Sequence, residues 1–130
     1  METKKDIEGL DDIIRFVDKF YGKVQKDELI GPIFNGVIKD WEPHLQKMYA
    51  FWNAVLFGVP GFTGNPFARH APLPIHEAHF ERWILLFYET IDSLFAGEIA
   101  NDTKRRAKTM AIMFLSKLKS MRGGPGNVIV

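Results

Sequence analysis

The chain has 130 residues, a length that fits one domain with a core of its own. Its 17 Lys and Arg residues nearly balance its 16 Asp and Glu residues, so its charge favours neither nucleic acid nor an anionic membrane as a partner. It contains no cysteine, which excludes disulfides, thiolate metal sites, iron–sulfur clusters and the covalent attachment of a c-type haem.

The start of the chain predicts no targeting segment. Residues 1–6 lack the pattern of a signal peptide, and no apolar run approaches the length of a membrane span. We therefore expect a cytoplasmic protein in which residues 1–130 form a single domain, with a core over about 10–121 and a flexible tail over 122–130.

The first part of the chain predicts two helices. Thr3 and Asp6 have capping-box spacing ahead of Ile7 and Leu10, which predicts a short helix. A longer helix follows, with Asp11 as its N-cap, because apolar residues recur there on one helical stripe. The stripe consists of Leu10, Ile13, Ile14, Val17, Phe20, Tyr21 and Val24.

The middle of the chain predicts one further long helix. Residues 30–34 are too few and too interrupted for more than one helical turn. Asp40 is the expected N-cap of a helix that runs to about Phe57 and tolerates Pro43 in its first turn. Its apolar face contains Trp41, His44 or Leu45, Met48, Phe51 or Trp52, and Val55. We therefore expect His44 on the buried side of this helix.

Glycines and prolines predict a loop over residues 58–66, and His70 follows that loop closely. Pro72 and Pro74 prevent a long helix from forming around His70. We expect His70 to lie in a short segment between two longer helices.

The last part of the chain predicts two helices of strong periodicity. One runs from Ile75 to about Phe95 and ends at Gly97, and the other runs from about Glu98 to Met121. The inward residues of the first are Phe80, Trp83, Ile84, Phe87, Ile91 and Leu94. Those of the second are Ala107, Met110, Ala111, Phe114, Leu115 and Leu118, with Lys104, Arg105 and Lys108 outward. Because no segment shows the alternation of a strand, the predicted class is all-α.

His44 and His70 are the candidate functional residues. Each is a neutral-capable imidazole among apolar and aromatic residues, in a chain with 11 Phe, 3 Trp and 3 Tyr. Two such histidines facing one apolar slot suggest a haem held without covalent attachment. Taken alone, His44 is more often a satisfied core residue and His70 a loop residue, and the aromatics are more often core packing.

A second pair of histidines offers an alternative. His76 and His79 have i, i+3 spacing at the start of a helix, with Glu77 and Glu81 nearby, and such spacing can bind a metal. A solvated first turn is the more ordinary interpretation. His76 also lies near enough to the preceding loop to compete with His70 as an iron ligand.

A set of motifs resembles the truncated globins, specifically their third group. The motifs are Phe20-Tyr21-x-Lys-Val24, Gly31-Pro-Ile-Phe34, Trp41-x-x-His44 followed by Phe51-Trp52, Gly64-x-Pro66 leading to His70, and Phe80-x-x-Trp83. They span about Leu10 to Met121 in the order of that family. The third group is favoured because the paired glycines typical of the other two are missing and the distal position is a histidine.

The resemblance implies a two-over-two helical sandwich around a haem b. The distal residues that it implies are Tyr21, His44 and Trp83. The expected haem contacts are Phe34, His44, Met48, Arg69, His70 and Trp83. Among these, His70 takes the role of iron ligand, Phe34 packs on the face of the haem, and Arg69 stands where the family often has a lysine.

The function implied is the binding of O₂ and related ligands such as NO and CO. A phenol, an imidazole and an indole can all donate hydrogen bonds to a polarised ligand, so we expect high oxygen affinity and slow release. Slow release suits chemistry on O₂, NO or peroxide, or sensing, better than transport. Peroxidase-like or NO dioxygenase-like turnover, with a reductase of unknown identity, remains open. The alternative is a cofactor-free helical interaction module whose aromatics are all core.

Overall fold

The computed structural model describes residues 3–62 and 75–122, and every regular element in these two ranges is an α-helix. The helices are α1 (Leu10–Lys26), α2 (Gly31–Val37), α3 (Trp41–Phe57), α4 (Glu77–Leu94) and α5 (Glu98–Arg122). Within these ranges no helix is long and apolar enough to cross a membrane. The predicted all-α class is confirmed. The predictions for Arg69, His70 and the C-terminal tail from residue 123 onward lie outside the described residues.

Helix α1 pairs with α3, helix α4 pairs with α5, and contacts between α1 and α4 join these two pairs. Helix α1 also packs against α2. Phe16 of α1 lies at this junction, with its ring edge-on to Trp52 at 5.8 Å, to Phe87 at 5.9 Å and to Phe95 at 6.5 Å. Such aromatic pairs contribute about 0.5–1.5 kcal/mol each beyond the area they bury. Phe16 therefore packs α1 against both α3 and α4.

The buried face of α1 is wider than the predicted stripe. Ile13, Val17, Phe20, Tyr21 and Val24 are buried as expected, but Leu10 is 45% exposed and Phe16, which lies outside the stripe, is fully buried. The reason is that α3 and α4 both pack against α1, so its apolar arc extends beyond a single stripe.

The predicted short helix at the N-terminus is wrong, because residues 3–8 contain no regular structure. The carboxylate of Asp6 instead accepts hydrogen bonds from the amides of Ile99 at 2.9 Å and Ala100 at 2.8 Å. Asp6 thus caps the start of α5 from a distant part of the chain. Gly97 precedes α5 with φ of 145°, and a Cβ there would lie 2.4 Å from Cγ of Asp6. The approach of this carboxylate therefore requires glycine.

The prediction of Asp11 as the N-cap of α1 is also wrong. Gly9 holds that position, and Asp11 lies in the first turn of the helix. The carboxylate of Asp12 reaches back to accept from the amide of Glu8 at 2.8 Å. This bond holds the chain that enters the helix and lets α1 begin at Leu10.

Helix α2 is longer than the single turn predicted for residues 30–34. It has seven residues, with Pro32 in its first turn, where a missing amide hydrogen costs nothing. The carboxylate of Asp27 accepts from the amides of Leu29 at 3.1 Å and Ile30 at 3.0 Å, which lead into the helix. The side chain of the residue that caps the end of α1 therefore stabilises a start that residues 30–34 alone do not predict.

The bounds of α3 match the prediction. Asp40 holds the N-cap position with an extended backbone, and the helix ends at Phe57, where Gly58 adopts a left-handed conformation with φ of 67°. Within the described residues, however, the Asp40 side chain caps none of the first amides of α3. Helices α4 and α5 lie within two residues of their predicted bounds.

We expect Asp6→Ala to lower the free energy of unfolding by about 1 kcal/mol, because the first amides of α5 lose their acceptor. Partial burial acts to raise the pKa of Asp6, but hydrogen bonds from the amides of Ile99, Ala100 and Ile7 outweigh it and lower the pKa below its usual value. The stabilisation is therefore present above about pH 4, the ordinary range of an unfolded aspartate, and is lost as the pH falls through the lower folded pKa.

Urea denaturation at several pH values would measure this effect. Asp40→Ala is the matched control, since Asp40 holds an N-cap position without a capping bond from its side chain. An equal loss of stability in both variants, or a loss in Asp6→Ala that does not shrink in acid, would contradict the assigned role of Asp6.

Candidate functional site

One apolar cavity of about 450 Å³ lies among the helices, and residues of all five of them line it. The residues used below are Tyr21, Phe34, His44, Met48, Trp83 and Phe87, with Lys39 and Lys47 at its exposed mouth. The volume lies in the range of small-molecule and cofactor sites, which are mostly apolar with a few placed polar groups. The cavity therefore has the size and lining of a binding site.

The sequence-predicted site residues of the described ranges meet at this cavity. Tyr21 comes from α1, Phe34 from α2, His44 and Met48 from α3, and Trp83 from α4. Arg69 and His70, the other two predicted haem contacts, lie outside the described residues. The structure brings five distant positions together, while the individual roles assigned to them stay predictions.

Tyr21 is a deeply buried polar residue of the cavity, at 6% exposure. Its ring contacts Phe20 at 4.9 Å and Phe34 at 6.3 Å between ring centroids. Burial raises the pKa of the Tyr21 phenol well above its usual value. The hydroxyl therefore stays protonated and can act as a hydrogen-bond donor at any physiological pH.

His44 lies beside Tyr21, in the first turns of α3. The two rings are 4.9 Å apart and nearly perpendicular, at 86°. The Nε2 atom of His44 is buried, so the imidazole faces into the protein. Trp41, one turn earlier, contacts His44 at 5.6 Å and Tyr21 at 5.8 Å between ring centroids. Two potential donors and a supporting indole thus form one aromatic cluster.

Trp83 forms the part of the cavity wall that α4 supplies beside Phe20. Its ring stacks on Phe87 at 5.5 Å with an interplanar angle of 12°, and Phe87 stacks on Trp52 at 5.4 Å. Phe20 contacts Trp83 edge-on at 5.5 Å. These contacts fix the plane of the indole, so the wall is flat and rigid at this position.

His76 and His79 cap the start of α4. The Nδ1 atom of His79 accepts a hydrogen bond from the backbone amide of His76 at 2.9 Å, and the His76 side chain accepts from the backbone of His79. No group of three potential ligands suited to a metal occurs in the described residues. The two rings therefore carry out a helix-capping role, which the spacing alone did not reveal.

Sequence reasoning did not place four polar residues at the cavity, namely Lys39, Asp40, Lys47 and His79. Two of them carry a periodicity that could have identified them. Lys47 lies three residues after His44, and His79 lies four residues before Trp83, so each shares a helix face with a predicted site residue. Lys39 lies between α2 and α3, and no periodic pattern covers it.

The corner between α1 and α2 holds Phe34 in place. Asp27, whose side chain is 3% exposed, accepts from Nε of Arg82 on α4 at 2.6 Å in addition to the amides of Leu29 and Ile30. Burial acts to raise the pKa of Asp27, but the hydrogen bonds from Ile30, Arg82 and Leu29 outweigh it and lower the pKa. One carboxylate therefore connects α1, α2 and α4 beside the cavity.

Comparisons with known proteins agree with this architecture. The model of the bacterial-like globin family matches residues 5–119. A group 3 truncated hemoglobin of Campylobacter jejuni is 34% identical over 116 residues, which cover 85% of this chain and 91% of that protein.

Two solved structures resemble the chain. The group III truncated hemoglobin from Campylobacter jejuni has a TM-score of 0.83 at 32% identity, over 89% of this chain and 95% of its own. The truncated oxygen-avid haemoglobin from Bacillus subtilis has a TM-score of 0.71 at 24% identity, over 82% and 93%, a likeness of fold alone. The predicted two-over-two fold is thereby confirmed.

We expect Asp27→Ala to lower the free energy of unfolding by about 2–3 kcal/mol, because buried amides leading into α2 lose their acceptor. Arg82→Ala should lower the free energy of unfolding less, by about 1 kcal/mol. The Arg82 side chain is 42% exposed, so water screens its ion pair with Asp27. Guanidinium denaturation of both variants would measure the difference. A larger loss in Arg82→Ala than in Asp27→Ala would contradict the role given to the amide bonds.

Proposed function

Because this chain belongs to the bacterial-like globin family and is a truncated haemoglobin of the third group, we propose that it holds a haem b without covalent attachment and binds O₂ and related ligands there. Family membership implies a haem cofactor and small diatomic ligands. Our proposal goes further in three respects. It assigns the residue that binds the iron, it assigns the hydrogen-bond donors to the ligand, and it expects a high affinity for oxygen.

The observation that carries this proposal is the convergence of Tyr21, His44 and Trp83 on one apolar cavity. These three side chains can each donate a hydrogen bond, and the surrounding walls are aromatic or aliphatic. Protein interiors pack as densely as organic crystals. A cofactor-free core would therefore close a space of this volume, which argues against the helical interaction module.

The cavity walls suit a flat, apolar macrocycle with two carboxylates. Phe34 and Met48 supply apolar surface from α2 and α3, in addition to the stacked ring of Trp83. Lys39 and Lys47 lie at the exposed mouth of the cavity, where their ammonium groups would pair with the propionates. Lys39 and Lys47 would therefore hold the carboxylates of a bound haem, and the apolar walls would hold its ring.

The bonding of the other histidines supports His70 as the iron ligand. His44 lies against Tyr21 on the donor side, and His76 is exposed and caps α4. The Nδ1 of His79 accepts from an amide, so the neutral ring carries its proton on Nε2 and offers no lone pair there to a metal. His70 is the remaining histidine of the four.

The chain on both sides of His70 reaches the cavity. Phe62 and Ile75 border the undescribed residues 63–74, and both line the cavity. His70 is five residues from Ile75, a separation of at most roughly 17 Å in a fully extended chain. This distance supports a ligand role for His70, and we propose Arg69 beside it as a further partner for a propionate.

The three donors determine how firmly a ligand is held. A ferrous haem, when bound, supplies a site at which a diatomic ligand becomes partly negative. Tyr21 stays protonated and can donate its O–H toward that ligand, while the imidazole of His44 and the indole of Trp83 can donate from the same cavity. Each such bond contributes about 1.5–3 kcal/mol, so two bonds slow release on the order of a hundredfold or more.

Slow release defines the class of function that we propose. A protein that holds O₂ this firmly delivers it poorly, so chemistry on O₂, NO or peroxide, or detection of a diatomic gas, is a better use of the site. The buried imidazole of His44 could relay a proton to a ligand in the cavity, which favours turnover. Turnover would require a separate reductase, and we expect both proteins in the cytoplasm.

The assignment of His70 can be tested by reconstitution with haemin. We expect the wild-type protein to bind haemin with a sharp Soret band, and His70→Ala to lose haemin or to accept imidazole from solution, because the bond from the protein to the iron is removed. His76→Ala is the matched control and should leave the Soret band unchanged. Loss of haem in His76→Ala alone would transfer the ligand role to that residue.

The donor network can be tested through oxygen dissociation. Tyr21→Phe and Trp83→Phe should each raise the O₂ dissociation rate about tenfold, as expected for about 1.4 kcal/mol of lost stabilisation. The two effects should not add, since a remaining donor can turn toward the freed ligand.

Stopped-flow measurement of O₂ release, with Tyr88→Phe as control, would decide this question. Tyr88 lies on α4 beside Lys104 and away from the cavity lining. If Tyr21→Phe and Trp83→Phe both kept the wild-type dissociation rate, these two residues would contribute only packing and no hydrogen bond to the ligand.

A further inference from the structure

We propose that Trp41 is a positioning residue that holds the imidazole of His44 in its inward orientation and thereby limits ligand access, an inference that rests on the proposed function. Trp41, Tyr21 and His44 form a triangle of rings with centroid distances of 4.9, 5.6 and 5.8 Å. The imidazole is perpendicular to both of its neighbours, at 86° in each case. His44 is thus held between a residue of α1 and a residue of its own helix.

Trp41 acts from behind the cavity wall. It is half-buried and packs against the main core, yet it is not among the residues that line the cavity, whereas Tyr21 and His44 are. Its indole therefore has no direct route to a ligand. Any effect of Trp41 on ligand binding must pass through the two side chains that it contacts.

His44 lies close to the start of α3. The imidazole lies on the fourth residue of α3, and in the described structure no side chain caps the amides at that helix start. Pro43, directly before His44, is exposed and lines the cavity mouth between Asp40 and Lys47. An outward turn of the imidazole would therefore open a path from solvent to the cavity, and the contact with Trp41 opposes that turn.

The inference predicts faster ligand association when the indole is removed. Loss of one edge-to-face contact shifts the equilibrium between the inward and outward orientations of the His44 imidazole by about threefold to tenfold. Trp41→Leu should therefore raise the CO association rate by about the same factor. Trp41→Phe keeps an aromatic ring at the position and should give a smaller increase. In a His44→Leu background, Trp41→Leu should change the rate no further, because the side chain that it positions is gone.

The experiment uses the haem-reconstituted protein and CO as the probe. Flash photolysis gives the association rate, and the infrared C–O stretch reports the polarity around the ligand independently of that rate. We expect Trp41→Leu to shift or broaden the C–O band toward that of His44→Leu. Tyr49→Phe is the matched control, since Tyr49 is a half-buried aromatic residue of the same helix that donates to Asp18 and does not line the cavity.

The outcomes separate this inference from the proposed function. A haem-bound Trp41→Leu protein with the wild-type rate and C–O band would overturn the positioning role and leave the haem site intact. An increase equal to that of Tyr49→Phe, or one that persists in the His44→Leu background, would also overturn it. If Trp41→Leu fails to fold, Trp41→Phe carries the same comparison. A wild-type chain that takes up no haem would overturn both.

Discussion

The edge-on contacts of Phe20 hold the two sides of the candidate site together. Its ring meets Tyr21 at 4.9 Å, Trp83 at 5.5 Å and Phe87 at 5.1 Å, and so connects a proposed donor of α1 to a proposed donor of α4. Phe20 is itself 2% exposed and belongs to the main core. The positions of the donors are therefore set by the same packing that stabilises the fold, and a change in that packing changes both.

Helix α1 can serve the core and the cavity at once because its apolar arc is wide. Phe16 and Phe20 face the junction with α3 and α4, and Phe20 also lines the cavity together with Val17 and Tyr21, each one residue further along the chain. A helix turns by about 100° per residue, so adjacent residues face neighbouring sectors. On the side formed by α1, the cavity is consequently bounded by residues whose neighbours are fully packed.

Much of the fold could be predicted from periodicity. The long helices α1, α3, α4 and α5 bury stripes with a 3.6-residue period, and their bounds follow from local residues. Some of the errors occur where the chain is stabilised from a distance. Asp6 bonds to amides 93 and 94 residues away, and Asp27 pairs with Arg82 across 55 residues, contacts that no local pattern reveals.

The candidate site was predictable to a similar degree. Tyr21, His44 and Trp83 were found because a set of spaced motifs identified them together, whereas the capping role of His79 depends on a backbone geometry invisible in the sequence. The supporting position of Trp41 depends in the same way on the angle between α1 and α3. The ligand role of His70, outside the described residues, stays a prediction.

The starts of the helices differ in a way that bears on function. Asp6 holds the first amides of α5, Asp27 holds those that lead into α2, and the His76–His79 pair holds the start of α4. In the described part of the chain the start of α3 has no such side-chain cap, and this is the helix that carries the imidazole at the cavity mouth. A fixed cap would add stability of about 1 kcal/mol. The ring contacts of His44 with Tyr21 and Trp41 are therefore the observed contacts from which we infer how the imidazole is held inward.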